Sequence, residues 1–179
     1  MKKVRFYSMG ILAVLLLFVT GIILSSRDEV LLGAKDGVIR LDGLNPGDLV
    51  QIQGTWTFYP DLLYEDLSGT DRGIPVTPIH LWAGNPEYGG RAYGYGTYVT
   101  TLEGLSQGKQ YGIYMADQSM AYRLRANGVD ILANGQVGRT PDRYEAEKYA
   151  AMGAFVGDEE GKVRLVLEIA NFDNPQGGF

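Results

Sequence analysis

The sequence predicts an all-β protein, an antiparallel jelly-roll β-sandwich preceded by one N-terminal transmembrane helix. Three observations carry this. The stretch 94–138 reads as four short strands in succession, Thr97–Leu102, Tyr111–Met115, Tyr122–Ala126 and Val129–Ala133. The last two are joined by Asn127-Gly128, the residue pair that a type I′ hairpin turn favours because both central positions need positive φ. Val163, Leu165, Leu167 and Ile169 then alternate with Arg164 and Glu168, the period-two pattern of a half-buried strand. Finally, Lys2, Lys3 and Arg5 precede Phe6–Leu24, which is almost wholly apolar.

That apolar run is nineteen residues, about 28 Å as a helix, close to the hydrocarbon thickness of a bilayer. It is longer than the core of a secretory signal, and Leu24-Ser25-Ser26 is a poor cleavage site. An uncleaved signal-anchor is therefore expected over residues 6–24, with a cleaved signal peptide as the alternative. The positive-inside rule puts residues 1–5 in the cytoplasm and everything after Ser26 outside, at the cell membrane. Residues 25–44 read as a polar linker with a first strand at Val38–Leu41. A sandwich follows over 45–179.

Within it, Asn45-Pro46-Gly47-Asp48 is a turn, and Leu49–Tyr59 is strand material in which Trp56 and Phe58 share a face. Gly54 marks a bulge or a close backbone approach. Pro60–Leu67 reads as a short helical turn or loop, Ile79–Trp82 as a short edge or crossing strand, and Ala83–Gly96 as a long Gly/Tyr-rich loop. The register of the central strands points Tyr122, Leu124 and Ala126 inward, and Arg123 and Arg125 outward. Asn134-Gly135 reads as a further turn. Arg139–Met152 reads as helical around Ala146–Ala151 or as an irregular excursion. Asp158-Glu159-Glu160-Gly161 is a turn before the last strand. Asn171–Phe179 is a terminal loop, and the absence of a returning strand after it predicts that the sandwich is truncated there.

Composition narrows the chemistry. There is no cysteine and one histidine, so disulfides, thiol catalysis and a His/Cys zinc site are not expected. Three of the 16 basic residues precede the apolar run, leaving 13 against 21 acidic ones, a net charge near −8 outside the membrane. Such a surface disfavours nucleic acid. Gly94-Tyr95-Gly96 lacks the third glycine and following helix of a dinucleotide loop, and Asp158–Glu160 lacks the ligand spacing of a calcium loop. No catalytic residue, metal ligand or cofactor is predicted. His80 has no nucleophile or acidic partner in a suggestive pattern and reads as a buried or rim residue. The candidate ligand-binding residues are Trp82, Tyr88, Arg91, Tyr93 and Tyr95 in the Gly/Tyr-rich loop, with Arg123 on the outward face of its strand. Exposed aromatic rings stack on sugars, and arginine offers a bidentate fork to carboxylates.

The order Gly54-x-Trp56-x-Phe58-Tyr59-Pro60, Trp82, Gly96-Thr97-Tyr98, Tyr122-Arg123-Leu124-x-x-Asn127-Gly128, Asn134-Gly135-x-Val137-Gly138 and Asn171-Phe172 … Gly177-Gly178 resembles one known family over roughly residues 45–179. It is the extracytoplasmic jelly-roll sensor domain of bacterial seven-transmembrane receptors with diverse intracellular signalling modules. More distantly it is similar to the galactose-binding-like jelly roll of family-2 glycoside hydrolases. The resemblance implies a ligand-sensing domain of a signal-transduction receptor, with a histidine kinase, nucleotide cyclase or phosphatase downstream in the same chain. The alternative is a carbohydrate-binding accessory domain of an anchored or secreted glycosidase. Either way the expected partners are the membrane, through the N-terminal helix, and a small polar ligand or saccharide.

Overall fold

A computed structural model describes residues 29–45, 47–69, 73–77 and 80–178. The apolar segment 6–24 lies outside them, and among the described residues no helix is long and apolar enough to cross a membrane. The chain divides into two compact units, a smaller one that includes Leu44–Gln51 and a larger one of Leu31–Gly43 with Ile52–Phe179. In the smaller unit the expected turn is present. Asn45 N–H donates to the Asp48 carboxylate at 2.7 Å, and Asp48 N–H donates to the Asn45 carbonyl at 3.2 Å.

Eleven strands are described, β1 (Glu29–Ala34), β2 (Val38–Arg40), β3 (Leu49–Gly54), β4 (Trp56–Pro60), β5 (Ile74–Val76), β6 (Gly94–Glu103), β7 (Gln110–Met115), β8 (Ala121–Ala126), β9 (Val129–Asn134), β10 (Ala151–Val156) and β11 (Val163–Asn171). The fold is all-β. Its main sheet runs β5-β4-β6-β11-β8-β9, with β2 added beside β6, and β7 pairs with β10 in a separate ladder. The ladders of the main sheet are antiparallel except one: β2 runs parallel to β6, with Val38 opposite Thr101. It occupies the stretch of the β6 edge beyond the end of β4.

Residues opposite each other across a ladder share a face. Phe58, Tyr98, Leu167, Leu124 and Leu132 therefore form one row across five strands, and all five are buried. This is the core face. The parallel row on the opposite face is Tyr59, Thr97, Glu168, Arg123 and Ala133. Glycines permit the close packing at two places. Gly54 sits at φ +97°, and a Cβ there would lie 1.9 Å from the backbone nitrogen of Ala34. Gly96 lets the edge of Phe58 rest on its backbone, since a Cβ would lie 2.5 Å from that ring.

The strand material Leu49–Tyr59 forms two strands separated at Thr55, whose N–H donates to the Ala34 carbonyl at 3.0 Å. Several other expectations are corrected. Asp36-Gly37, both at positive φ, closes a tight turn that the polar composition of the linker concealed. Gly94-Tyr95-Gly96 belongs to β6 rather than to the loop, because all three residues pair with β11. Of the two readings of Arg139–Met152 the irregular excursion holds: residues 146–150 lie in no helix or strand, β10 begins at Ala151, and the 3₁₀ turn of this excursion is Pro141–Arg143. Glu168 does not face solvent, since β11 is buried on both sides along most of its length. The terminal loop also pairs: Trp82 and Ala83 N–H groups donate to the carbonyls of Gly177 and Gln176.

Candidate functional site

The Gly/Tyr-rich loop is organised by the core face. Trp82 and Tyr88 are buried, with ring centroids 4.6 Å apart, and both pack on Phe58. Trp82 Nε1–H donates to Tyr98 Oη at 2.7 Å, and Tyr88 Oη–H donates to the Tyr95 carbonyl at 2.9 Å. Burial pushes both the Tyr98 and the Tyr88 phenol well above the usual tyrosine range. Trp82 and Tyr88 present no ring face to solvent, which corrects the expectation that they stack on a ligand.

The other four predicted residues are not gathered in one place. Arg91 lies over the Tyr88 ring at 4.6 Å and donates to Asp61 at 2.8 Å. Tyr93 is about half exposed. Tyr95 is half-buried and, two residues from Thr97 on β6, lies on the face opposite the core. Arg123 shares that face, and its Nε is 3.8 Å from Asp130.

On that face the segment Asp61–Leu67 lies across the sheet. Thr97 Oγ1–H donates to the Leu62 carbonyl at 2.7 Å, and Tyr64 N–H donates to Glu168 Oε1 at 2.8 Å. Glu168 also accepts from Arg125, whose guanidinium stands 4.5 Å from the Tyr64 ring centroid and reaches Asp130 at 2.7 Å. Leu63 and Asp66 close the 3₁₀ turn Tyr64–Asp66, with Leu63 N–H donating to the Asp66 carboxylate at 2.9 Å. That bond, reinforced by Arg139, holds the Asp66 carboxyl below its ordinary range.

Arg139 connects this segment to a cleft. Its guanidinium reaches Glu65 at 3.0 Å and Asp66 at 2.8 Å, and stands 5.7 Å from the Tyr95 ring. The cleft, about 550 Å³, is lined by Leu63, Gln136, Val137, Gly138, Arg139, Thr140 and Arg143. It forms because the chain leaving β9 doubles back. Gln136 and Glu145 exchange backbone hydrogen bonds at 2.7 and 3.1 Å, Gln136 Nε2–H donates to the Arg143 carbonyl at 3.2 Å, and Gly138 admits that same carbonyl where a Cβ would lie 2.1 Å from it. Such a wall combines an apolar floor with amide, hydroxyl and guanidinium groups. It can hold a polar ligand by hydrogen bonds while covering an apolar ring face. Of the predicted site residues only Tyr95 adjoins it. The sequence reading missed Arg139 and Arg143; the two arginines flanking Thr140-Pro141-Asp142 are the signal that could have found them.

No family model matches the chain, and no curated protein matches it. Among solved structures it is similar to a GH2 β-galacturonidase from Eisenbergiella tayi bound to galacturonate, at 14% identity over 69% of this chain and 21% of that one, TM-score 0.46. It is also similar to a β-glucuronidase from Ruminococcus gnavus in complex with an N1-substituted uronic isofagomine, at 14% identity over 66% of this chain and 21% of that one, TM-score 0.49. A further structure of the Ruminococcus gnavus β-glucuronidase gives 15% identity over 66% and 20% of the two chains, TM-score 0.47. The chain spans about a fifth of the length of these proteins.

Proposed function

We propose that the β domain is a non-catalytic binding module that takes a saccharide in the cleft beside Arg139. One observation carries this reading: a concave site of about 550 Å³ joins Gln136, Thr140 and Arg143 to Leu63 and Val137, with the Tyr95 ring next to Arg139. A sugar presents a C–H face and a rim of hydroxyls, and a site of this kind answers both. Calorimetry of the full chain against a panel of neutral and acidic oligosaccharides tests it. Arg143→Ala and Thr140→Val each weaken binding about tenfold, the value of one good hydrogen bond to a charged or buried group, and Tyr93→Ala leaves it unchanged. No heat with any saccharide, or heat indifferent to both cleft substitutions, overturns the reading.

A second reading, ligand sensing by a membrane-bound receptor, is favoured by the basic Lys2, Lys3 and Arg5 followed by the apolar residues 6–24. In it the domain stands outside the cell on an uncleaved anchor and reports to a downstream module. Membrane-extracted protein whose N-terminus starts near Arg27 refutes the anchor.

A further inference from the structure

The single histidine sits in a place that favours its neutral form. His80 is buried, with Phe58 and Tyr98 rings edge-on at 5.0 and 5.8 Å. Its Nδ1 is 2.9 Å from Tyr98 Oη, and its Nε2 is 2.8 Å from Asn85 Nδ2. The orientation of Asn85 is set independently, because its Oδ1 accepts from Glu87 N–H at 2.9 Å. The Asn85 amide nitrogen must therefore face His80 and donate to Nε2. The imidazole proton then resides on Nδ1 and points to Tyr98 Oη.

Asn85 is also the hub of the loop that follows. Its N–H donates to the Trp82 carbonyl at 3.0 Å, and its own carbonyl accepts from Tyr88 N–H at 3.2 Å and Gly90 N–H at 2.7 Å. We propose that His80 and Asn85 form a pH-sensitive latch, closed while the imidazole is neutral and opened by a proton on Nε2, which releases residues 83–91. A protonated Nε2 meets the Asn85 amide donor. Flipping the amide to offer Oδ1 sets its nitrogen against Glu87 N–H instead, so the part-buried bond to His80 is lost in one orientation and the exposed bond to Glu87 in the other. The groups around the ring are Tyr98 and Phe58 from the sheet, and Trp82, Asn85 and Glu87 from the loop itself. Glu87 is the one of these with a charge, and it favours the cation.

Burial, the larger influence, holds His80 below its ordinary value of 6.5, with Glu87 opposing. The sign follows. The unfolded chain takes up this proton near pH 6.5 and the folded chain resists it, so stability is full above that pH and falls as pH drops below it. The consequence reaches the exposed side of the domain, since the same loop carries Arg91, which holds Asp61 at the start of the segment lying across the sheet.

Hydrogen exchange and imidazole NMR on the full chain test the latch, and one histidine gives one resonance. Protection of the Tyr88 and Gly90 amides, corrected for intrinsic rates, is expected to fall about tenfold between pH 7 and pH 5 while that of Leu167 holds. Asn85→Asp reverses the logic, because a carboxylate accepts from a protonated Nε2 and still accepts from Glu87 N–H. Its loop stays protected at pH 5, and its imidazole titrates above 6.5. His80→Gln, whose amide oxygen can accept from Asn85, keeps the loop protected at both pH values. Equal protection at pH 5 and pH 7 in the unmodified chain overturns the proposal, as does the same acid loss in His80→Gln.

Discussion

Glu168→Gln isolates the most buried ion pair among the described residues. Glu168 and Arg125 side chains are 3% and 11% exposed, so both charges have left water for each other. The substitution preserves an oxygen for Tyr64 N–H but places an amide nitrogen against the guanidinium, so the buried cation loses its buried partner. Breaking a buried pair in this way costs about 3–5 kcal/mol. Arg125 keeps Asp130 at 2.7 Å, but that carboxylate is 55% exposed and screened by water, which places the loss near the lower end, about 3 kcal/mol. For a chain of this size that lowers the melting temperature by roughly 6–12 °C. Glu168→Leu adds about 1 kcal/mol, because the Tyr64 N–H also loses its acceptor. Arg125→Met with Glu168→Leu should cost less than Glu168→Leu alone, since removing both charges leaves no stranded group. Urea and thermal unfolding of these three variants and of Arg125→Met alone measure all of this. Single substitutions within about 0.5 kcal/mol of the parent, or a double variant that costs the sum, would show that the pair is solvated and the reasoning wrong.

Two further outcomes follow from packing. Trp56 is 4% exposed, so Trp56→Ala should cost about 3–5 kcal/mol in urea unfolding, whereas Tyr93→Ala, at a site 49% exposed, should stay within about 0.5 kcal/mol; equal losses would invalidate the assignment of inside and outside. Gly54→Ala and Gly47→Ala both place a side chain at positive φ, but only the first drives a Cβ into Ala34, while the second meets open space. The Gly47 variant should lose about 1 kcal/mol and the Gly54 variant more than about 4 kcal/mol, and a similar cost at both would mean that Ala34 yields freely.

The strands were legible where a local signal coincided with the tertiary one. Asn127-Gly128 forms the expected turn, with φ of 48° and 82°; the β8–β9 register shifts by one residue between Leu124 and Arg125, and Tyr122, Leu124 and Ala126 are buried as the alternation along β8 predicts. Gly54 was legible as a close approach because a glycine inside a strand pattern needs a reason. The pattern misled at Glu168. Alternation along Val163–Ile169 predicts one solvated face, and β11 does alternate, but it is the middle strand of the sheet and has chain on both sides. A charge there reads as surface until the partner is known, and Arg125 on the neighbouring strand supplies it. Periodicity reports which residues share a face; it does not report what covers that face.

The candidate site shows the same limit from the other direction. A loop rich in tyrosine and glycine suggests exposed rings with room around them, yet the same composition serves to bury rings under a tight turn. The deciding atoms are polar. Trp82 Nε1 and Tyr98 Oη satisfy each other inside the core, and Tyr88 Oη finds the Tyr95 carbonyl, so these rings can be withdrawn from water without stranding a donor. Tyr95 takes the opposite face because it is a strand residue one step from Gly96, whose missing side chain leaves room for Phe58 on the core side. One glycine thus sorts two aromatics to opposite sides of the sheet, and the ring left outside is the one that Arg139 overlies at the cleft. Arg139 itself is fixed by two carboxylates of the Tyr64–Asp66 turn, and that turn is tied to Glu168 through Tyr64 N–H. Substitutions at the buried pair should therefore be read for binding as well as for stability, because the same segment carries both.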